Sequence, residues 1–323
     1  MSKTQNIVVA GAGTFGTAMA ERLAWNDNNN VVLHSIEADV VEAINTEHRN
    51  TKYFPMHVLS SKLSATTDFN VYTDADVILL VIPSKAIVPF SKQIAEYTNG
   101  KNPLVINLAK GMSDDGAFIT EKIPFSRTAS MKGPSFAIEV LHGIPTSFTF
   151  GGKREDYIEF KNQTLRDTGL YLDYTKDIRA VELMSILKNM YAIGLGLVSG
   201  RYNSPNVDFM IYTKCVNEMR ELLKLYECDP EVIFKYCGIG DLGLTGLNDL
   251  SRNRTLGMLI GKGFTYDQNG SSATVVEGHR TIKLIGELTR AHHLEEDFPI
   301  IQALYSLMYE GTSLMDYLNA VFK

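Results

Sequence analysis

Short apolar runs alternate with amphipathic stretches through the first half of the chain. Residues 7–10, 31–34, 77–82 and 104–108 are apolar runs of strand length, the pattern of strands buried on both faces. The segments between them, 14–25, 40–46 and 85–97, space their apolar residues at helical intervals. Strand and helix in alternation predict right-handed crossovers and a mainly parallel, doubly wound sheet of the Rossmann type. The run Asn28-Asn29-Asn30 is expected to form a turn between helix and strand, because Asn tolerates unusual backbone angles. After about Lys176 helical periodicity takes over, across 178–198, 209–226, 277–291 and 300–308. Two domains are therefore expected: an α/β domain over 1–177 and an all-helical domain over 178–323. A ligand is expected at the C-terminal ends of the parallel strands, where open α/β sheets bind their cofactors.

Composition acts mainly by exclusion. A chain of 323 residues, 45% hydrophobic and 21% charged, fits an ordinary globular protein with room for two cores. The net charge of -6 gives no field that draws nucleic acid or an anionic membrane, so an anionic substrate needs a local cluster of cations. Cys215, Cys228 and Cys237 are odd in number and too widely spaced for a metal or redox pair, which points to a reducing compartment. The N-terminus lacks the apolar core of a signal peptide, and no apolar run is expected to reach the roughly 20 residues of a membrane span. A cytoplasmic location is the expectation. His292 and His293 are adjacent and the other histidines scattered, so no metal site is expected.

One motif points directly at a cofactor. Gly11-Ala12-Gly13-Thr14-Phe15-Gly16 follows a predicted strand and opens a predicted helix, the context that a dinucleotide fingerprint requires. Gly11 permits the tight turn, Gly13 lets a pyrophosphate approach the backbone, and Gly16 lets the helix pack closely. The phosphates would then meet the free N–H groups of that helix. Glu37 stands about 20 residues past Gly16, where a carboxylate grips the ribose hydroxyls. Around it the chain reads His34-Ser35-Ile36-Glu37, with at most one weakly basic neighbour for the extra phosphate of NADP. NAD is therefore expected to be preferred.

Several further residues are candidates for chemistry, each with a plain structural reading beside it. Lys110 follows the fourth predicted strand, either as a cation on the cofactor side or as a surface lysine. Lys188 shares a helical stripe with Met184, Tyr191 and Leu195. An ammonium there either snorkels to water or is buried for a purpose, and a buried one has a lowered pKa suited to proton exchange. Gly238 to Thr245 is a glycine-rich turn bearing Asp241, and Ser251-Arg252-Asn253-Arg254 offers donors for a phosphate or is an ordinary polar loop. Gly133-Pro134-Ser135-Phe136-Ala137 and Val275-Val276-Glu277-Gly278 carry the same ambiguity.

Taken in order, these segments resemble the NAD(P)-dependent glycerol-3-phosphate dehydrogenases. The resemblance runs from Ile7 to about Tyr309 and includes the fingerprint, Tyr53-Phe54-Pro55, Val81-Ile82-Pro83-Ser84, Ala109-Lys110-Gly111, Gly133 to Ala137, Leu187-Lys188-Asn189, Gly240-Asp241-Leu242, Ser251 to Arg254 and Val275 to Gly278. It implies a soluble, two-domain enzyme that interconverts dihydroxyacetone phosphate and glycerol 3-phosphate by hydride transfer, and it is compatible with a homodimer. It implies Lys188 as the catalytic acid/base with Lys110 and Asp241 beside it. Asn189 and Thr245 would line the same site, and Gly133, Ser135, Ser251, Arg252 and Asn253 would contact substrate. Thr14, Phe15, Lys110, Ala137, Arg252, Val275 and Glu277 would join the glycines and Glu37 at the cofactor. Ile36-Glu37 is similar to the NAD-specific branch of the family.

Two departures fall where the substrate is expected. Lys132 replaces a small serine before Gly133-Pro134, and the segment from Tyr202 to Cys215 contains Pro205, Asp208 and Lys214-Cys215 in unaccustomed places. They leave open a different phosphorylated or carboxylated substrate, an altered dimer contact, or drift. A non-catalytic NAD-binding sensor is the reading from another class; it predicts loss of the lysine or its acid, and both are present.

Overall fold

The computed structural model describes residues 4–111, 117–264 and 277–323. The chain divides into two compact units, Met1–Glu182 and Leu183–Lys323.

The first unit is built on β1 (Gln5–Ala10), α1 (Thr14–Leu23), β2 (Asn29–His34), α2 (Ala38–Glu47), β3 (Ser64–Thr66), β4 (Val77–Leu80), α3 (Ser84–Ala95), β5 (Leu104–Asn107), β6 (Thr128–Lys132), α4 (Ala137–Leu141), β7 (Thr146–Gly151), α5 (Arg154–Glu159) and β8 (Leu170–Thr175). The strands form one sheet in the order β3-β2-β1-β4-β5-β6-β7-β8. Neighbours from β3 through β6 are parallel; β7 runs antiparallel to β6, and β8 follows β7 in parallel. Ile7 sits opposite Val31 on one side and Val77 on the other, so the four apolar runs stack in register. Their alternate side chains supply two cores. Ile7, Val9, Val31, Leu33 and Leu79 pack with Met19 and Leu23 of α1. Val8, Ala10, Ile78, Leu80 and Val105 pack with Tyr72 and with Ile87 and Ile94 of α3. A strand covered on both faces has no polar side to show, hence its uninterrupted apolar sequence.

Three details differ from the sequence expectation. The Asn28–Asn30 run is not the turn: Asn29 and Asn30 belong to β2, and the turn falls on residues 24–28. Asn29 is used as a buried clamp, its amide donating to the carbonyls of Leu23 (2.8 Å) and Thr164 (2.9 Å). Strands β6 to β8 do not form apolar runs: they are mixed in character (Thr-Ala-Ser-Met-Lys in β6), with Ser130, Lys132 and Thr149 nonetheless buried. Finally, one helix does have the length and apolarity of a membrane span, contrary to expectation. It is α6 (Ile178–Tyr202), and its apolar window is wholly buried within the protein.

Beyond α6 come α7 (Pro205–Leu225), α8 (Asp241–Gly246), α9 (Arg252–Gly261), α10 (Glu277–Ala291), α11 (Pro299–Tyr305) and α12 (Leu314–Phe322). Among the described residues the second unit is entirely helical. Helices α6 and α9 touch backbone to backbone. A Cβ added at Gly196 would lie 2.2 Å from the Arg254 carbonyl oxygen, and one at Gly257 would lie 2.0 Å from that of Ile193. Glu218 of α7 closes the start of α11, accepting from the Ile300 amide (2.7 Å) and the Tyr191 hydroxyl (3.0 Å). The three cysteines are all buried and none is in a disulfide.

Candidate active site

The strand order reverses direction between β1 and β4, and there the fingerprint lies. Gly11 has φ +110°, and a Cβ on it would stand 2.5 Å from the Val81 carbonyl. Gly16 meets the Gly11 carbonyl so closely that a Cβ would sit 1.9 Å away. At Gly13, by contrast, nothing lies within 4 Å of an added Cβ. The turn is therefore packed behind and open in front. Gly13 caps α1 without a side-chain bond, which leaves the helix's first amides pointing into that open space. The residues present fit a pyrophosphate. Thr14 is exposed there and Phe15 leans on Phe148, ring centroids 6.4 Å apart. A buried residue that the sequence did not single out holds the turn: Asn50 donates to the Ala12 carbonyl and to the Thr17 hydroxyl, both at 2.8 Å.

Glu37 stands at the start of α2, past the end of β2. Its carboxylate pairs with the Lys52 ammonium, and the Tyr53 hydroxyl lies 3.4 Å away. Lys52 is thus the basic neighbour of this acid, brought from a separate loop. His34 is not: its ring turns into the opposite core among Phe69, Tyr72 and Phe90, where burial pulls its pKa down. Ile36 is almost fully exposed beside Glu37. Lys110 is exposed just past β5, Gly133 and Ser135 follow β6, and Ala137 opens α4. A Cβ on Gly133 would reach the Ser147 carbonyl at 2.3 Å, and the Ser135 hydroxyl donates to the Gly133 carbonyl at 3.0 Å. All these residues lie at the C-terminal edge of the parallel strands.

The second unit gathers the remaining candidates. Lys188 is 1% exposed and its ammonium is joined to the carboxylate of Asp241, itself 2% exposed. The snorkelling alternative does not describe it. Asp241 begins α8, and Thr245, one turn on, places its hydroxyl 3.4 Å from the same carboxylate. Next to Lys188, the Asn189 amide donates to Glu277 at 3.0 Å and its oxygen accepts from Asn253 at 3.2 Å. Asn253 in turn accepts from the Gly278 amide at 3.1 Å. One network therefore joins residues that were expected to serve substrate and cofactor separately. Ser251 caps α9 through the Arg254 amide (3.3 Å), Arg252 is exposed in the first turn, and Arg254 is buried on Gly246 and Ser199. The close α6–α9 crossing at Gly196 and Gly257 positions this first turn. Val275 lies outside the described residues.

The two sequence departures are absorbed internally. Lys132 is 3% exposed and donates to the Asn107 carbonyl at 2.7 Å, with its charge beside Glu182. Pro205 takes the first position of α7, where its missing N–H costs nothing. Asp208 accepts from Ser199 at 2.5 Å, and Lys214 donates to the Val321 carbonyl at 2.9 Å.

A glycine turn at a sheet's switch point, an acid past β2 and a buried lysine–carboxylate pair in a helical unit define a nicotinamide-dependent dehydrogenase. Comparison with known proteins narrows this. Family models described as NAD-dependent glycerol-3-phosphate dehydrogenase N-terminus and C-terminus match residues 6–158 and 177–319. The chain belongs to that family. It is 31% identical to the glycerol-3-phosphate dehydrogenase [NAD(P)+] of Leuconostoc mesenteroides, over 97% of this chain and 96% of that protein. To the chloroplastic glycerol-3-phosphate dehydrogenase [NAD(+)] 2 of Arabidopsis thaliana it is 30% identical, over 95% and 75%. Its fold matches the glycerol-3-phosphate dehydrogenase structure from Coxiella burnetii with a TM-score of 0.85 at 24% identity, each chain 99% covered.

Proposed function

We propose that the chain interconverts dihydroxyacetone phosphate and glycerol 3-phosphate, with Lys188 as acid/base. The observation that carries this reading is the buried Lys188–Asp241 pair. An ammonium taken out of water is costly, and its carboxylate partner keeps it charged and fixed in direction. When bound, the nicotinamide supplies the hydride for the C2 carbonyl carbon, or accepts it in reverse. The chain's own groups manage the oxygen: Lys188 polarises it and gives it a proton as the alkoxide forms, while Lys110 adds positive charge. Thr245 and Asn189 line the same place. Ser251, Arg252 and Asn253, at the start of the ten-residue α9, hold the phosphate. In the first unit Gly133 and Ser135 bound the substrate, and the fingerprint, Glu37 and Ala137 hold the dinucleotide; Glu277 and Val275 are further candidates for cofactor contact.

NAD is preferred over NADP, because Glu37 repels a 2′-phosphate and His34 offers it no charge. Lys52, paired with Glu37, offsets part of that repulsion, so the preference is one of degree, on the order of tenfold or more in kcat/KM. The reading also includes domains meeting near residue 177, a cytoplasmic homodimer, and no membrane or nucleic-acid partner. Lys132, one of the two departures that left a different substrate open, is buried against Asn107, which supports this reading. The test is Lys188→Ala, assayed on folded protein. Turnover should fall about 10³-fold or more while NADH binding persists; near-normal turnover would remove Lys188 from proton transfer.

A further inference from the structure

Asn107, fully buried at the end of β5, has almost all its polar groups committed. Its carbonyl accepts from the Lys132 ammonium at 2.7 Å. Its side-chain amide donates to Glu182 at 2.5 Å, and its side-chain oxygen accepts from the Ala109 amide at 2.9 Å. Glu182, 1% exposed, also takes the amide (3.4 Å) and hydroxyl (3.2 Å) of Thr120. Asn107 thus ties three segments together: the end of β6, the first turns of α6, and the Ala109-Lys110-Gly111 turn.

A buried ammonium and carboxylate gain little stability over apolar residues of the same size, so their usefulness lies in the geometry they specify. Here that geometry lies directly beneath two segments of the candidate site. Lys132 precedes Gly133 and Ser135; Ala109 precedes Lys110. We propose that Lys132 is a positioning residue for the reaction: with its charge beside Glu182, it clamps Asn107 and thereby fixes the Lys110 turn relative to the Gly133–Ser135 turn. The proposal rests on the reading that Lys110 adds charge at the reacting oxygen.

Burial pushes the Glu182 carboxyl above its usual range, and the Lys132 charge is the largest influence holding it down. With Lys132 removed that restraint is lost, and Glu182 becomes a weaker acceptor towards Asn107 and Thr120. The Lys110 turn then loosens while the glycine turn after β1 is untouched.

The test compares Lys132→Met, Glu182→Gln and the double variant with the wild-type chain. Two quantities are read on folded protein: hydrogen exchange of the peptide spanning 104–111, and kcat and KM with dihydroxyacetone phosphate and NADH. Each single variant should exchange about tenfold faster and lose about tenfold in kcat, with KM for NADH within about threefold. The double variant, which lacks the same clamp, should lose no more in either quantity than the single variants do. Lower thermal stability with wild-type exchange and kcat would reduce the cluster to ordinary packing and overturn the proposal. Additive losses in the double variant would overturn it equally. If Lys132→Met fails to fold, Glu182→Gln, which keeps an acceptor for Asn107, carries the same comparison. If the wild-type chain turns over no dihydroxyacetone phosphate, the proposed reaction fails, while the exchange measurement, which needs no substrate, still decides the clamp.

Discussion

In the proposed reaction Lys188 and Arg252 are two different ways for a cation to serve an anionic substrate. Lys188 is sealed against Asp241, and in the proposed role it would offer a fixed direction and a dry surrounding. Arg252 is exposed at the first turn of α9, so it can swing to a phosphate and meet it with two donors. Removing it should therefore act on binding. Arg252→Ala is expected to raise KM for the phosphorylated substrate by about 10- to 100-fold with a smaller effect on kcat; steady-state kinetics check this, and an unchanged KM would place the phosphate elsewhere. At this scale the sequence reveals residues whose neighbours are close along the chain. The fingerprint glycines are legible because each serves a local turn. Lys188 stands out because an ammonium within an apolar stripe is anomalous. Asn50, Lys52, Asn107 and Glu182 gave no such signal: each works through a partner from 15 to 75 positions away. Lys132 was conspicuous, but from sequence its buried partners could not be named.

At the scale of elements, legibility follows how each strand or helix is covered. Strands β1, β2, β4 and β5 are sealed on both faces and read as apolar runs. Strands β6, β7 and β8 bury polar groups that find partners inside, and the sequence pattern loses them. Helix α6 was legible as a helix, and its apolarity reflects complete burial. Its crossing with α9 depends on glycines that permit contact between backbones. Gly257→Ala would drive a methyl to 2.0 Å from the Ile193 carbonyl, where only a shift of one helix relieves it. The expected cost is about 3 kcal/mol, seen as a lower urea midpoint at unchanged slope. Because Ser251 to Asn253 ride on the same helix, KM for the phosphorylated substrate should rise as well. Wild-type stability would show that the two helices are not so tightly apposed.

For the whole molecule, one buried acid of the helical unit, Glu218, sets a dependence on pH. Burial raises the Glu218 carboxyl from 4.5 to about 7, against the opposing pull of the Ile300 amide and Tyr191 hydroxyl. A carboxyl with a raised folded pKa favours folding below its unfolded value, and that contribution is lost as pH rises through about 7. Thermal stability should fall between about pH 5 and pH 8 by an amount of order 3 kcal/mol, and Glu218→Gln should flatten the profile. A wild-type profile that rises over this window would contradict the assignment. The two units divide the proposed labour, one holding the dinucleotide and the other the proton-transfer pair and phosphate donors. The most direct measurement is NADH oxidation with dihydroxyacetone phosphate, run beside unphosphorylated dihydroxyacetone and beside NADPH. The account predicts rapid turnover that requires the phosphate and favours NADH; equal rates without the phosphate, or no turnover while NADH binds, would contradict it.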